Sequence, residues 1–371
     1  MDNLTVYCSI IEDMRKPIIA LSGKNNSLDA INYASVCLHV IASFFGVLEN
    51  ALIIYIIGFQ MTKSVITVWI MNLAISDLMT ALSLPIFTYF LASGQTWTMG
   101  TILCRVYSAV FFLNMFVSSF LLCIISIDRC FLIAFPVWSQ NHRDEMQASL
   151  ICAVVWMCAI LNTLPYYVFR DTIPCHDGRI MCYYNFMLYS STTSNSSEIC
   201  KTRQYAFAIS KFVIAFLIPL VIITACYITV IRKLQSRRRK TPGRFFKLTT
   251  AVIIAFILCW LPYHVFSILE AYADYKKSLR PLIRRALPFI TSLAFINSLI
   301  NPCLYVFVCP DFTAKIQQSL RAVLEHVLVE DTEVSTICSK TRLSTSSGLP
   351  LQGYKFVKCK GRCLRDTAAI T

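Results

Sequence analysis

NLAISDL, residues 72–78, sets one carboxylate, Asp77, inside an apolar run that covers residues 66–92. No other charged residue occurs in that run. Crossing the roughly 30 Å hydrocarbon core of a bilayer takes about 20 apolar residues, so the run is long enough to form a transmembrane helix. A charged group inside a span costs about 2.5–3.5 kcal/mol on insertion scales, which indicates that Asp77 has a structural or functional role.

Six further apolar runs of similar length flank this one. Together the seven cover approximately residues 33–59, 66–92, 102–133, 147–169, 204–232, 246–272 and 283–308. In lipid, a helix satisfies its own backbone hydrogen bonds. The pattern therefore predicts an all-α membrane protein, a seven-transmembrane helix bundle whose two chain ends lie on opposite sides of the bilayer.

Composition also indicates lipid as the main solvent. The 371 residues are 56% hydrophobic and 15% charged, and the mean hydropathy is +0.61. The net charge of +14 is carried by loops between apolar runs, which favours anionic headgroups and acidic proteins over nucleic acid as partners. The sequence contains no HExxH, GxSxG or glycine-rich phosphate loop, so we do not expect an enzyme.

Charge in the loops predicts the orientation. The loop after the fifth run is rich in basic residues between Arg232 and Lys247 and contains no acidic residue, so the positive-inside rule assigns it to the cytosol. The N-terminus is then extracellular, and the chain a multi-pass protein of the plasma membrane. Glycosylation sequons at Asn3, Asn25 and Asn195 fall on the extracellular side in this orientation.

This orientation divides the chain into four regions. We expect an extracellular segment (1–32), the helix bundle (33–308), an amphipathic helix on the inner leaflet (309–328) and a disordered cytosolic tail (329–371). The tail offers phosphorylation sites that would give it negative charge for arrestin. These sites are Ser335, Thr336, Ser344, Thr345, Ser346 and Ser347.

One loop departs from the charge rule. Before the seventh run, on the predicted outer side, lie Lys276, Lys277, Arg280, Arg284 and Arg285. These residues could form a basic rim that attracts an anionic ligand. A solvated loop without a role is the alternative for each of them.

Asp77 has two interpretations. It could be a structural hydrogen-bonding centre, with the polar residues Asn50, Ser118, Asn297, Ser298 and Asn301 around it. Alternatively it could hold a sodium ion in the resting state, since several oxygens around one carboxylate suit a hard cation. Asn114, one turn from Ser118, could instead fill that space.

Short motifs near the ends of the spans indicate a conformational switch. Asp128–Arg129 ends the third span, CWLPY (259–263) lies in the sixth and NPCLY (301–305) in the seventh. Pro219, Pro262 and Pro302 remove backbone hydrogen bonds within spans five, six and seven. We expect these helices to be kinked and able to bend.

Taken together, DRC, CWLP, NPxxY and the Asp77 span resemble the rhodopsin-like (class A) G-protein-coupled receptors over all seven spans. The resemblance implies a receptor that signals to a G protein, and a disulfide between Cys104 and Cys182. It implies activation-switch roles for Asp128, Arg129, Trp260, Pro262, Asn301, Pro302 and Tyr305. Cys130 departs from the Tyr that most members carry after the Asp-Arg pair.

The residues at two family positions exclude two ligand classes. Phe111 stands where amine receptors carry an Asp, and Phe295 stands where retinal-binding members carry a Lys. Aromatic residues remain as candidate walls of an outer ligand cavity. They are Phe87, Phe90, Trp97, Tyr107, Phe111, Phe112, Tyr183, Tyr184, Trp260, Tyr263 and Phe295, and we add Leu287 to this predicted ligand-binding set.

Lys211, in the fifth span, and Arg170, at the end of the fourth, are the cations that could define the ligand. Lys211 could extend to the membrane interface or pair with Glu270, and Arg170 could pair with Asp171. If both face the cavity, they favour a ligand with one carboxylate and a long apolar body.

Within the family, PVWSQNHR, FFLNMF, ISKF and PYHVFSILEA resemble the chemoattractant-type prostaglandin D2 receptors, which are related to formyl-peptide and complement receptors. This resemblance implies an oxidised fatty-acid ligand, most simply prostaglandin D2, whose carboxylate meets Lys211, Arg170, Tyr184 and Tyr263. It also implies an inhibitory-class G protein. A receptor for chemoattractant peptides is the alternative.

Five cysteines lie outside the spans on the predicted outer side, namely Cys8, Cys104, Cys175, Cys182 and Cys200. With Cys104–Cys182 assigned by the family, the closer resemblance favours a second disulfide between Cys8 and Cys200. Cys175 is then left over.

Overall fold

The computed structural model describes residues 7–16, 25–190, 196–236, 243–273 and 276–308, apart from the side chains at 25–32, 140, 243–250, 252, 277, 284–285 and 303–308. All seven predicted spans are helical. They are α2 (Asn25–Tyr55), α3 (Val65–Ala92), α4 (Gly100–Ala134), α6 (Glu145–Val168), α7 (Ser196–Phe212) with α8 (Ile218–Ser236), α9 (Gly243–Tyr272), and α10 (Arg280–Phe295) with α11 (Asn297–Val308).

Shorter elements connect or cap the spans. Helix α1 (Ser9–Met14) precedes the first span, α5 (Pro136–His142) joins the third and fourth, and strands β1 (Arg170–Pro174) and β2 (Ile180–Tyr184) follow the fourth. A π-helical segment, Ile56–Gln60, extends α2, and a short 3-10 turn, Lys277–Leu279, leads into α10.

Six spans of the described chain are long and apolar enough to cross a membrane as single helices. The seventh is interrupted between Phe295 and Asn297, and its apolar part is the shorter segment Ala286–Pro302. It nevertheless packs against the first, second and sixth spans, which closes the bundle.

Helix ends differ from the predicted span ends. The first helix begins at Asn25, so its first residues belong to the region 1–32 that the sequence assigned to an extracellular segment. The fifth span begins at Ser196 rather than 204. Hydropathy reports the thickness of the hydrocarbon core, whereas backbone hydrogen bonding continues until a cap or turn ends the helix.

Local sequence explains how the second span begins and why it lies close to the first. Ser64 caps α3: the amide of Thr67 donates to Ser64 Oγ, and the amide of Ser64 donates to Thr67 Oγ1, 2.8 Å away. A Cβ atom at Gly46 would lie 3.1 Å from the Cβ of Ala81. The small residues therefore allow α2 and α3 to approach closely, as small residues do between membrane helices.

Helix α4 is the centre of the bundle. It packs against α3, α6, α8 and β1, and Met115, Val117 and Leu121 are fully buried along it. Residues of α4 therefore face both the cavity at one end of the bundle and the loop helix α5 at the other.

The helix geometry differs near the three prolines of spans five, six and seven. In the fifth span a π-helical segment, Val213–Leu217, precedes Pro219, and the amide of Ile218 donates to Val213 O five residues back. Such wider turns accommodate a residue that lacks an amide hydrogen. Helix α9 continues through Pro262, while the break in the seventh span lies six residues before Pro302.

A β-hairpin, which the sequence analysis did not predict, covers one end of the bundle; we call this the hairpin end. β1 and β2 pair antiparallel, with Thr172 opposite Cys182. The predicted disulfide Cys104–Cys182 joins the hairpin to α4. The hairpin is further fixed where the amide of Trp97 donates to Ile180 O at 2.8 Å.

A disulfide and several hydrogen bonds hold helix α1 at the hairpin end. The predicted disulfide Cys8–Cys200 joins its first turn to α7, and Cys175 belongs to neither disulfide. Arg280 donates to the carboxylate of Asp13 and to Ser9 Oγ, 3.1 Å away. Arg280 is buried, so it anchors α1 rather than forming part of the solvated basic rim that the sequence suggested.

The Asp13–Arg280 pair resists acid. Burial raises the pKa of Asp13, but hydrogen bonds from Lys16 and Arg280 and their positive charges lower it further, so the pKa lies below its ordinary value of 3.8. A carboxylate with a lowered pKa stabilises the folded state at higher pH and loses that contribution as pH falls through the lowered pKa. The pair is therefore intact from neutral pH to pH 5.

Several predictions lie outside the described residues. They are the amphipathic helix 309–328, the tail 329–371 with its six phosphorylation sites, the sequons at Asn3 and Asn195, the side chains of Asn25, Arg284, Arg285 and Tyr305, and the basic residues 237–240.

Replacing Arg280 with Ala should loosen α1 while the disulfide still holds its first turn. We expect amide hydrogen exchange in residues 9–14 to rise by about tenfold, since a partly buried, hydrogen-bonded ion pair is lost. Lys276→Ala, which removes an exposed cation from the same loop, is the control. Equal amide hydrogen exchange of residues 9–14 in the two variants would contradict the anchoring role of Arg280. Faster exchange of these residues in the parent at pH 5 than at neutral pH would also contradict it.

Candidate functional site

A cavity lies at the hairpin end, enclosed by spans two, three, five, six and seven and covered by the hairpin and α1. Eleven of the fourteen residues predicted to bind ligand line it. They are Phe87, Phe90, Tyr107, Phe111, Phe112, Arg170, Tyr183, Tyr184, Lys211, Tyr263 and Leu287.

The other three lie one layer behind the wall, which corrects the prediction that they face the cavity. Trp97 is buried and its indole nitrogen donates to Gly100 O at 2.9 Å. Trp260 and Phe295 pack behind Phe111, with ring centroids 6.3 and 5.2 Å from it. Aromatic residues at cavity-facing helical positions and those one layer deeper look alike in a sequence, so only packing separates them.

Lys211 points into the cavity. Its side chain is 3% exposed, and Nζ donates to the hydroxyl of Tyr263 at 3.4 Å. The ammonium also lies 5.1 to 5.8 Å from the centroids of three rings, those of Phe112, Tyr166 and Tyr263. Within the described chain Lys211 forms no ion pair, so neither an interfacial position nor a salt bridge with Glu270 explains it.

Arg170 also lines the cavity. It is the first residue of β1, where it pairs in register with Tyr184. Its guanidinium lies 4.5 Å from the centroid of the Tyr184 ring and 5.7 Å from that of Tyr183. The neighbouring Asp171 instead accepts hydrogen bonds from the amide of Thr172 and the side chain of Asn185, so it does not neutralise Arg170.

The cavity also contains polar residues that the ligand prediction missed. Ser267 and Glu270 line the wall above Tyr263, and Thr291 lines it from α10. Positions 263, 267 and 270 recur at the spacing of one helix face. That periodicity around Tyr263 was the signal in the sequence that could have identified Ser267 and Glu270.

The geometry suits an anion with an apolar body. Two cations that have no carboxylate partner among the described residues line a cavity whose remaining wall is mostly aromatic and aliphatic. A carboxylate would form charge-assisted hydrogen bonds with them, while the rings would cover hydrocarbon.

Deeper in the bundle, Asp77 is fully buried within a polar network. Its two carboxylate oxygens accept from Asn114 Nδ2 at 2.9 Å and from Asn301 Nδ2 at 2.8 Å. Asn114 also donates to Ser76 Oγ, 3.0 Å away. The arrangement matches the structural interpretation of Asp77, with Asn114 against the carboxylate.

The other switch residues connect this network to both ends of the bundle. Trp260 contacts the cavity wall through Phe111, and Asn301 of the seventh span reaches Asp77. At the end opposite the hairpin, Arg129 Nε lies 3.7 Å from the nearer carboxylate oxygen of Asp128.

Comparisons with known proteins agree with this architecture. Residues 49–305 match the model of the seven-transmembrane receptor, rhodopsin family. The chain is 49% identical to prostaglandin D2 receptor 2 of Mus musculus, over 94% of this chain and 91% of that protein. It is 51% identical to prostaglandin D2 receptor 2 of Rattus norvegicus, over 91% and 83%. It is 38% identical to chemerin-like receptor 1 of Rattus norvegicus, over 85% of each chain.

Lys211→Met should stabilise the ligand-free protein. Methionine has similar length and no charge, so the substitution removes the desolvation cost of a buried ammonium that has no carboxylate partner among the described residues, on the order of 1–4 kcal/mol. We expect Tm in detergent to rise by a few degrees, because about 1 kcal/mol corresponds to roughly 2–4 °C in proteins of 150–250 residues.

The matched control is Lys63→Met, which removes a solvent-exposed ammonium. It should leave Tm unchanged. A lower Tm for Lys211→Met than for the parent would mean that the three surrounding rings and the Tyr263 hydroxyl already offset the desolvation cost of the ammonium.

Proposed function

The chain belongs to the rhodopsin family of seven-transmembrane receptors, and from that premise we propose that it binds a carboxylate-bearing lipid mediator, most simply prostaglandin D2. Its family comprises receptors that signal to G proteins, not enzymes. The observation that carries the proposal is the buried ammonium of Lys211, which faces a cavity rich in aromatic residues and has no carboxylate partner among the described residues. The similarity to prostaglandin D2 receptor 2 of Mus musculus and of Rattus norvegicus supports the choice of ligand.

In the proposed complex the carboxylate lies between Lys211 and Arg170. The hydroxyls of Tyr263 and Tyr184 donate hydrogen bonds to it. These bonds replace the hydrogen bonds to water that the carboxylate loses on binding. The hydrocarbon body packs against the cavity rings, for which the transfer of apolar surface out of water contributes about 25 cal/mol per Å². Because Lys211 is already buried, the ligand supplies a carboxylate partner that the described residues do not provide.

The proposed signalling depends on contacts between residues of the cavity wall and residues of the activation switch. Ligand contacts at Phe111 and Tyr263 act on Trp260, whose ring packs against both and which lies two residues before Pro262. A ligand that packs better when the sixth span swings outward about Pro262 favours that conformation. The swing exposes Arg129 to an inhibitory-class G protein, and the phosphorylated tail then binds arrestin.

The proposal includes the orientation in the plasma membrane. The hairpin end, with α1 and both disulfides, faces the oxidising extracellular side, where disulfides persist. Glycans on Asn3, Asn25 and Asn195 belong to this side. The opposite end, with Asp128, Arg129 and α5, faces the cytosol.

A receptor for chemoattractant peptides of the formyl-peptide or complement type is the second candidate, since a peptide C-terminus also carries a carboxylate. The similarity to chemerin-like receptor 1 is the observation that favours it. Against it, α1 and the hairpin cover the cavity, with Met14, Met181 and Tyr183 on its wall. That cover suits a slender lipid better than a peptide chain.

A thermodynamic cycle tests the ligand proposal. We measure the binding of prostaglandin D2 and its methyl ester to the parent receptor and to Lys211→Ala. For the parent, esterification should weaken binding by about 100-fold, because a charged hydrogen-bonded pair is lost, worth 2–5 kcal/mol when buried. In the variant the preference for the acid over the ester should be much smaller, and Arg170 and the tyrosine hydroxyls account for what remains of it.

Surface expression and Lys63→Ala are the controls. Equal binding of the acid to parent and variant would refute the carboxylate site. Binding of short peptides without binding of the prostanoid would establish the peptide receptor instead. The signalling proposal is tested separately: agonist should lower cyclic AMP, and a toxin that ADP-ribosylates inhibitory G proteins should abolish the effect.

We also propose a sodium ion near Asp77 in the resting receptor. The oxygens there, those of a buried carboxylate and of the Ser118 and Ser298 side chains, fit a small hard cation. The Asn50 side-chain oxygen is buried and has no hydrogen-bond partner among the described residues. The ion would supply positive charge to a carboxylate that the described network surrounds only with neutral groups.

Replacing Na⁺ with K⁺ in the assay should raise agonist affinity severalfold if sodium favours the resting state, since a ligand of one state shifts the equilibrium toward it. Asp77→Asn should abolish that difference between the two salts. Equal agonist affinity in both salts for the parent would mean that Asn114 fills the space, as the sequence analysis considered.

A further inference from the structure

The carbonyl of Arg170 points out of the β-hairpin. At the open end of the hairpin, the amide of Asn185 donates to Phe169 O at 2.8 Å, and at the turn the amide of Cys175 donates to Arg179 O at 2.7 Å. Pairs that exchange hydrogen bonds across an antiparallel ladder alternate with pairs that do not. Arg170 lies one position from Phe169, so it belongs to a pair without such bonds, and its carbonyl faces away from β2.

Arg105, on α4, donates a hydrogen bond to this carbonyl. Its Nε donates to Arg170 O at 2.8 Å. A backbone carbonyl that leaves water needs a partner, and a guanidinium gives a stronger bond than a neutral donor because it is charged. Arg105 does not line the cavity, and no carboxylate among the described residues pairs with it. Its described bond is therefore to the backbone of a ligand-site residue and not to the space that the ligand fills.

Three residues near one end of α4 hold the hairpin. Thr101, Cys104 and Arg105 follow the i, i+3, i+4 spacing that places side chains on one face of a helix. The hydroxyls of Thr101 and Thr172 lie 2.6 Å apart, and Cys104 forms its disulfide with the residue opposite Thr172. Those two contacts fix the middle of the hairpin, whereas Arg105 is the one of the three that holds position 170.

The Arg170 side chain depends on the position of its backbone. Its guanidinium lies 4.5 Å from the centroid of the Tyr184 ring, and its Nε is buried with no hydrogen-bond partner among the described residues. A ring face attracts a cation but restricts its direction less than a hydrogen bond does. In a strand the direction of each side chain follows from the backbone. The peptide group that follows Arg170 therefore helps to set how the guanidinium enters the cavity.

We propose that Arg105 is a positioning residue of the ligand site: by holding the Arg170 carbonyl, it directs the Arg170 guanidinium toward the carboxylate of the ligand. The inference rests on the proposed function and deepens it, because it names the group that makes the second cation effective. Arg105 acts through Arg170 and touches no part of the ligand.

Two other roles for Arg105 predict different results. If Arg105 acted through the field of its charge, Arg105→Lys would preserve the effect and salt would weaken it. If it only stiffened the hairpin, its loss would weaken the binding of charged and uncharged ligands alike. A positioning role affects the carboxylate alone, because that is the part of the ligand that the Arg170 guanidinium meets.

The test measures the affinity of prostaglandin D2 and of its methyl ester for purified full-length receptor in nanodiscs. We expect Arg105→Met to lower the preference for the acid over the ester by about fivefold, a size typical of coupling between neighbouring groups. The affinity for the ester should stay the same. Arg105→Lys should resemble Arg105→Met, since lysine has a methylene group where Arg105 Nε donates. Thr101→Val, which removes another contact to β1, should keep the preference of the parent.

The decisive comparison repeats Arg105→Met in an Arg170→Ala background. The substitution should not change the preference there, because the side chain that Arg105 positions is absent. An unchanged preference in the single variant, or an equal fall in both backgrounds, would overturn the proposal. So would equal weakening of acid and ester, which would assign Arg105 to hairpin stability, and so would a preference retained by Arg105→Lys, which would assign its effect to charge.

Amide hydrogen exchange without ligand separates this inference from the proposed function. The amide of Asp171 and the carbonyl of Arg170 belong to one peptide group, so exchange at Asp171 should rise severalfold in Arg105→Met. Such a rise, in a parent receptor that does not bind the acid, would refute the proposed function while supporting the hold of Arg105 on the strand. A preference for the acid in the parent, with no rise in exchange in the variant, would refute the role of Arg105 alone.

Discussion

The buried ammonium of Lys211 is the constraint on which the site depends. A charge that leaves water without an opposite charge carries a large desolvation cost, and in this bundle the only hydrogen-bond acceptor described at Lys211 Nζ is the hydroxyl of Tyr263. Ring faces around the ammonium offset part of the cost, since each cation–π contact contributes about 0.5–2 kcal/mol. The remainder is recovered when an anion enters, so the folded protein is arranged to bind one.

Two elements at the hairpin end complete the cavity that contains Lys211. The hairpin, joined to α4 by Cys104–Cys182, brings Arg170 to the cavity wall. Helix α1, joined to α7 by Cys8–Cys200, covers the cavity and narrows its connection to water. Excluding water strengthens the attraction between the cations and an incoming carboxylate, because the local dielectric constant falls.

Three other charged groups that are shielded from water have described partners, and the contrast supports the assignment of the site. Arg280 pairs with Asp13, Asp128 pairs with Arg143, and Asp77 accepts two amide hydrogen bonds. The Arg280–Asp13 pair anchors α1, whereas Asp128 and Asp77 belong to the proposed activation switch. Lys211 and Arg170 instead face a cavity and have no carboxylate partner among the described residues, which is the pattern expected of a ligand site rather than of an internal salt bridge.

The seven spans and the motifs within them can be read from the amino-acid sequence alone. Lipid requires long apolar segments that satisfy their own backbone hydrogen bonds, and that requirement is visible in a linear sequence. The sequence also indicates Lys211 and Arg170, because a cation at an apolar position is conspicuous. Which groups meet is visible only in the folded protein: Trp260 and Phe295 lie behind Phe111, Arg280 anchors α1, and Arg143 reaches Asp128. These contacts join residues from different helices and loops, and pairing across the fold depends on packing geometry that no local pattern encodes.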